Sequence, residues 1–296
     1  MQGTPFFEEH QNTFIQWLER LGYAVNTIKS HKRRLNRFFF YLKNNHITTL
    51  EAIDPKAMSS YDHYLDKLPI GSKSIAQHIS TLRLFDQYLE KYGHEPIIKT
   101  RLRITPHLET KKTILTKAEI KTLYQATDNS ALGYRDRAML AVYYGCGLRA
   151  KEGLFLQMSD LDFKNGLLQV GKSKTYKPRY VPMSEKVKND LREWLDYGRK
   201  LILKPACRQG RTESGAVLVH GKGEYKTATM FNERLKKLLD KAGIAKPVTL
   251  HGLRHSIATH LLENGMELEQ IRQFLGHHSL EVTQRYTHIM YENGEL

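Results

Sequence analysis

The apolar positions of the first hundred residues recur at helical spacing. Phe7, Phe14, Leu18 and Leu21 share one face of a segment that Gly22 is placed to end. Ile28, Leu35, Phe39 and Leu42 line one face of the next. Asp54 followed by Pro55 is a cap with proline at the first helical position, which predicts the start of a third helix. Ile75, Ile79, Leu82, Phe85 and Leu89 predict a fourth, from about Lys73 to Tyr92. Four short amphipathic helices bury their stripes by forming a small bundle.

The period stops at Gly93. From there to Lys112 the chain holds Pro96, Pro106 and the basic residues Lys99, Arg101, Arg103, Lys111 and Lys112, with no apolar repeat. That texture reads as an inter-domain linker. Thr116 and Glu119 then form a Ser/Thr-x-x-Glu capping box, with helices expected at about 117–126 and 131–145. Between Leu161 and Met183 the spacing shortens. Leu161 to Phe163, Leu167 to Val170 and Arg179 to Met183 read as three short strands, and Asn165-Gly166 suits a two-residue hairpin. The second connection, Gly171 to Pro178, is longer and carries Lys172, Lys174 and Lys177. Beyond it the pattern is helical again, apart from an apolar stretch at Val217 to Val219. The expected fold is mainly α with a small antiparallel β-sheet. A helical bundle and its linker would occupy 1–107, and a mixed α+β domain 108–296.

Composition narrows the setting. A chain of 296 residues suits about two domains, and 40% hydrophobic with 26% charged residues is globular rather than disordered. No apolar run approaches the roughly 18 residues of a membrane span, and Met1 to His10 lacks the basic and apolar regions of a secretory signal. Cys146 and Cys207 stand far apart with no CxxC spacing, which argues against a disulfide scaffold or zinc site and suits a reducing cytoplasm. Charge changes the picture most. Lys and Arg number 46 against 31 Asp and Glu, a net +15 that points to a polyanion, most often nucleic acid. Residues 1–107 hold 15 basic and 10 acidic side chains, so the excess is not confined to a tail. In the second predicted helix Lys29, Arg33 and Arg37 run four apart, on a face separate from the apolar one. That face is either simply solvated or tracks a phosphate backbone, and the charge of the whole chain favours the second reading.

Four clusters carry candidate chemistry: Gly147-Leu148-Arg149-Ala150-Lys151-Glu152, the lysine-bearing hairpin, His251-Gly252-Leu253-Arg254-His255-Ser256, and Leu275-Gly276-His277-His278-Ser279. Tyr286 follows His277 by nine residues. His251 and Arg254, three apart near a helix start, would face the same way and suit an anion. Arg149 is a second bidentate donor for phosphate oxygens, and His277 a further hydrogen-bond donor. Any one of these has an ordinary structural explanation; Tyr286 is one of sixteen tyrosines and the chain has fourteen histidines. The weight lies in four clusters in one order within one basic domain.

That order resembles the tyrosine recombinase family of the phage-integrase and Xer type. The family box His-x-Leu-Arg-His-(Ser/Thr)-x-Ala-Thr-His-Leu matches His251 to Leu261. Leu-Gly-His-x-Ser matches Leu275 to Ser279, the tyrosine context matches Tyr286-Thr287-His288, and Gly-Leu-Arg-x-x-Glu matches Gly147 to Glu152. Lys151 stands where many members have Ser. Spacing to Pro182 and a Ser-Lys-Thr context select Lys174 as the hairpin lysine, whereas matching Gly-Lys alone selects Lys172.

The resemblance implies an N-terminal helical DNA-binding domain and a catalytic domain. It implies a catalytic set of Arg149, Lys174, His251, Arg254, His277 and Tyr286, with Lys29, Arg33, Arg37 and Lys172 against DNA. Tyr286 would be the nucleophile that forms a 3′-phosphotyrosine, His251 its base, Lys174 the acid for the leaving 5′-oxygen, and Glu152 a support that orients a catalytic residue. No metal or other cofactor is expected. A homotetramer would exchange strands between two duplexes through a Holliday junction, in chromosome-dimer resolution or in the integration of a mobile genetic element. In relatives a C-terminal segment packs on a neighbouring subunit; here ten residues follow Tyr286, short for that task. Two competitors remain: a type IB topoisomerase-like enzyme that relaxes DNA, and a catalytically silent DNA-binding regulator.

Overall fold

The structure is a computed structural model that describes residues 5–98, 113–171, 178–207, 215–220, 223–224 and 227–277. The chain divides into two compact units, Met1–Thr110 and Lys111–Leu296.

The first unit is built from α1 (Pro5–Arg20), α2 (Val25–Asn44), α3 (Pro55–Asp66) and α4 (Ser72–Lys91). Asp54 caps α3 by accepting the Ala57 N–H at 2.6 Å, with Pro55 at the first position, where no N–H is needed. Phe14, Leu18, Leu35, Phe38, Leu42, Phe85 and Leu89 are fully buried and form the centre of the bundle. Phe14 meets Phe85 edge-on at 5.3 Å, and Phe38 meets Tyr61 at 4.8 Å. Leu21 departs from its expected place on the apolar face. It is 51% exposed, because α1 ends at Arg20 and the turn that follows abandons the helical period. The segment read as a linker also begins later than its composition suggests. Asp86 of α4 accepts the backbone N–H groups of Ile97 and Ile98 at 2.8 and 3.1 Å, and Ile97 is buried. Lys29, Arg33 and Arg37 of α2 are exposed. Their face is strongly positive: burial, then Arg37, Arg34 and Arg33, bring the imidazole of His78 on α4 down to about 4.

The second unit opens with α5 (Lys117–Gln125), started by the Thr116–Glu119 capping box. Next comes α6 (Ala131–Leu140). The single helix expected to 145 does not continue as α. Ala141–Gly145 forms a wider π turn, in which the Cys146 N–H reaches back five residues to the Ala141 carbonyl at 2.8 Å. That turn is buried against the core through Ala141, Val142 and Tyr143. Packing, which the local pattern does not report, selects it. The short helix α7 (Ala150–Leu154) follows.

Strands β1 (Leu161–Asp162), β2 (Leu167–Val170) and β3 (Arg179–Pro182) form an antiparallel sheet in that order, with Leu168 opposite both Leu161 and Val181. The outer strands are one residue shorter than expected; Phe163 and Met183 lie beyond the ladder, and because Asp162 pairs with Leu167 the first hairpin is a four-residue turn, Phe163 to Gly166, not the expected two-residue Asn165-Gly166 turn. Helix α8 (Glu185–Glu193) runs through a second π turn, Trp194–Gly198, into α9 (Arg199–Cys207). The apolar stretch at Val217 feeds a two-stranded ribbon of β4 (Val219–His220) and β5 (Gly223–Glu224). The buried indole of Trp194 donates to the Val217 carbonyl at 2.7 Å. Three helices follow among the described residues: α10 (Thr229–Lys241), α11 (Leu250–Glu263) and α12 (Leu268–Leu275). Among the described residues no helix is long and apolar enough to cross a membrane.

Candidate active site

The site is assembled around two glycines whose backbones approach side chains too closely for any Cβ. After the π turn, Gly147 adopts φ +58°, and a Cβ there would stand 2.9 Å from Leu275 Cδ2. Gly276, at the end of α12, adopts φ +67°, and its Cβ would stand 2.8 Å from Arg179 Cδ. Both conformations are left-handed and open to glycine at little cost. Each glycine turns its carbonyl toward an arginine of another cluster, Gly276 toward Arg149 and Gly147 toward Arg254.

Gly147 buries Leu148 and delivers Arg149 to the start of α7. The Arg149 N–H donates to Glu152 Oε2 at 2.8 Å. Its guanidinium donates through Nη1 to Glu152 Oε1 at 2.8 Å and through Nη2 to the Gly276 carbonyl at 2.6 Å. Arg254, on α11, is only 1% exposed. It donates through Nη1 to the Gly147 carbonyl at 2.5 Å and through Nη2 to the Leu275 carbonyl at 2.7 Å, with Glu152 Oε2 at 3.9 Å. The Gly-Leu-Arg and Leu-Gly-His motifs are therefore joined by Arg149, which reaches the Gly276 carbonyl, and by Arg254 of α11, which bridges the Gly147 and Leu275 carbonyls. A buried guanidinium is tolerable because its N–H groups are used and a carboxylate stands near.

His277 leaves α12 with its backbone N–H bonded to the Arg272 carbonyl at 3.0 Å. Its ring is buried beside the cations. Burial, followed by Arg254, Arg149 and Arg179, lowers it to about 3, so the imidazole is neutral at physiological pH. His251 is exposed in the first turn of α11 and meets His255 edge-on at 4.3 Å. His251 and Arg254 thus share a helix start but not an environment. Nor does the bare end of that helix offer the anion site its sequence suggests. Thr249 Oγ1 accepts the Gly252 N–H at 3.3 Å and Asn232 Oδ1 accepts the Leu250 N–H at 2.9 Å, so two of its leading donors are already engaged. Side chains, not the helix terminus, present the positive charge.

Arg179 was not among the expected site residues. It donates to both oxygens of Glu152, at 3.0 and 2.9 Å, and through Nε to the Phe274 carbonyl at 3.2 Å. One sequence signal points to it: on β3 it shares the period-2 face of Val181, which is fully buried, so its charge needs a partner. Burial pushes the Glu152 carboxyl up, but the hydrogen bonds and charge of Arg179 and Arg149 outweigh it and bring it down to about 2. Three guanidiniums around one carboxylate leave a net positive, partly buried site. The structure brings Arg149, Arg254 and His277 together with His251 at their edge. Lys172, Lys174 and Tyr286 lie outside the described residues. Among the described residues no cluster of His, Cys, Asp and Glu is placed to hold a metal ion.

Comparison with known proteins bears on this arrangement. The sequence model of the phage integrase family matches residues 113–293, and that of the phage integrase N-terminal SAM-like domain matches residues 12–93. The chain belongs to the phage integrase family. It is a tyrosine recombinase, an enzyme that cuts and rejoins DNA at specific sites by means of a tyrosine. Its relatives include tyrosine recombinase XerD of Staphylococcus epidermidis, 36% identical over 95% of this chain and 93% of the relative. XerD of Listeria innocua is 32% identical over 90% of this chain and 89% of the relative. In fold the recombinase is similar to XerH bound to palindromic difH substrate in a post-cleavage complex, with a TM-score of 0.73 and 20% identity over 94% of this chain and 82% of that one. It is also similar to a lambda integrase dimer bound to a COC′ core site, with a TM-score of 0.67 and 19% identity over 94% of each chain.

Proposed function

We propose that Tyr286 attacks a phosphodiester of double-stranded DNA held by Arg149 and Arg254, in a recombinase of the Xer kind. Residues 108–296 would carry the chemistry. Residues 1–107 would grip the duplex through Lys29, Arg33 and Arg37 of α2, and Lys172 would also contact DNA. The observation that carries the reading is the convergence of two carbonyl-anchored arginines and the neutral His277 in one positive site, with His277 nine residues before a tyrosine in a Tyr-Thr-His context.

The steps follow from the groups present. The Tyr286 phenol, whose pKa is ordinarily ~10, gives its proton to His251 as its oxygen bonds to phosphorus. The bond from phosphorus to the 5′-oxygen breaks, and that oxygen takes a proton from Lys174. A 3′-phosphotyrosine and a free 5′-hydroxyl result. Arg149 and Arg254 meet the charge that develops on the non-bridging oxygens. Their carbonyl and carboxylate partners hold them in place before the phosphate arrives, which is the condition for strong electrostatic stabilisation. Neutral His277 donates a hydrogen bond to the same phosphate. The 5′-hydroxyl of a partner strand then attacks the phosphotyrosine, so the bond energy is conserved and no external energy source enters. Two duplexes exchange strands in this way through a Holliday junction, within a homotetramer, in the cytoplasm. The test is a suicide duplex nicked beside the cleavage site. A covalent 3′-linked complex forms with the wild-type chain and is absent with Tyr286→Phe; a complex that persists in that variant would falsify the assignment.

A further inference from the structure

Arg149 is held at two points, the Glu152 carboxylate and the Gly276 carbonyl. Arg179 secures both. It takes the two oxygens of Glu152 in a bidentate pair, and it binds the Phe274 carbonyl two residues before Gly276. The backbone of Gly276 lies against its side chain, since a Cβ there would stand 2.8 Å from both Cδ and Nη1 of Arg179. Arg179 is itself anchored in the sheet, opposite Val170 at the start of β3.

We infer that Arg179 is a positioning residue for Arg149, fixing the carboxylate and the helix end that aim the Arg149 guanidinium at the scissile phosphate. The inference rests on the reading of Arg149 as a phosphate clamp. Two physical effects support it. A planar fork that matches both carboxylate oxygens orients Glu152 in a way that a lysine's point charge does not. Arg179 also balances the Glu152 charge. Without Arg179, the Glu152 charge would fall on Arg149 and Arg254, the two clamping groups; with it, three guanidiniums share one carboxylate and two positive charges remain for the phosphate.

Single-turnover cleavage of the nicked suicide duplex, measured with the full chain beside its affinity for the intact duplex, tests this. Arg179→Gln is expected to bind DNA within about threefold of wild type yet to cleave about 10- to 100-fold more slowly, the scale expected when a catalytic group is misplaced by about 1 Å. Arg179→Lys, which keeps the charge without the fork, should recover part of that loss, and it carries the test if the Gln variant melts early. In an Arg149→Ala background the same Arg179→Gln change should cost less than about threefold, because effects that act through one residue are not additive. Equal slowing by Arg179→Gln in both backgrounds, or wild-type cleavage by Arg179→Gln where Arg149→Ala is inactive, overturns the role of Arg179 alone. Wild-type cleavage by Arg149→Ala overturns the clamp reading and this inference with it.

Discussion

Replacing Glu152 by Gln should loosen the second unit by about 3 kcal/mol at neutral pH, and the loss should shrink in acid. Its carboxylate accepts from the Arg149 backbone, from the Arg149 side chain and twice from Arg179, and it is mostly buried. These partners bring its pKa from 4.5 to about 2. At 1.36 kcal/mol per unit, that difference is worth roughly 3 kcal/mol to the folded state. Breaking a buried pair by removing one partner costs a similar ~3–5 kcal/mol. The folded pKa is depressed, so the contribution is fully present above pH 4.5 and is lost as pH falls toward 2. By linkage it should be about 1.4 kcal/mol at pH 3. The assay is urea unfolding of wild type and Glu152→Gln at pH 7 and pH 3, following the buried Trp194 of the second unit by fluorescence. Trp17 in the first unit is changed to Phe in both proteins so that one signal remains. A gap between the two proteins that stays constant from pH 7 to pH 3 would refute the reasoning, since a group whose ionisation is uncoupled from its partners contributes no such slope.

Gly276→Ala places a methyl group within contact distance of the Arg179 guanidinium at φ +67°; it should destabilise by about 1–3 kcal/mol and slow strand cleavage, as read by thermal melting and suicide-substrate kinetics. Replacing Arg33 or Arg37 by Ala should weaken DNA binding and reduce the slope of log affinity against log salt by about one each; an unchanged slope places that residue away from phosphate. A 5′-bridging phosphorothiolate supplies a leaving group that needs no proton, so it should restore cleavage to Lys174→Ala and not to Arg254→Ala. Rescue of Lys172→Ala instead would assign the acid to Lys172.

The helices were legible because their signals are local. Ile28, Leu35, Phe39 and Leu42 repeat at the helical period, and all four are buried. Thr116 and Glu119 lie three apart and make the capping box their spacing predicts. The strands were legible for the same reason, although β1 and β2 are joined by four residues, Phe163 to Gly166, rather than by a two-residue Asn165-Gly166 turn. Leu21 was misplaced because a period cannot report where a helix stops. The π turn at Ala141–Gly145 was invisible because its wider hydrogen bonds answer to packing around Tyr143, not to residue propensity.

By itself the sequence determined the kind of chemistry: which residue types occur, in which order and at which spacing, within a chain too basic to ignore a polyanion. Those are properties of the chain read in one dimension. What the tertiary structure decided is how the residues hold one another. Arg149 finds its carbonyl 127 residues away and Arg254 finds one 107 residues away. Arg179 is drawn in because a charge on the buried face of a strand must meet a carboxylate, and Glu152, 27 residues earlier, is there. Such pairings depend on which backbones come close enough to exclude a Cβ, and that closeness exists only after the helices and the sheet have packed.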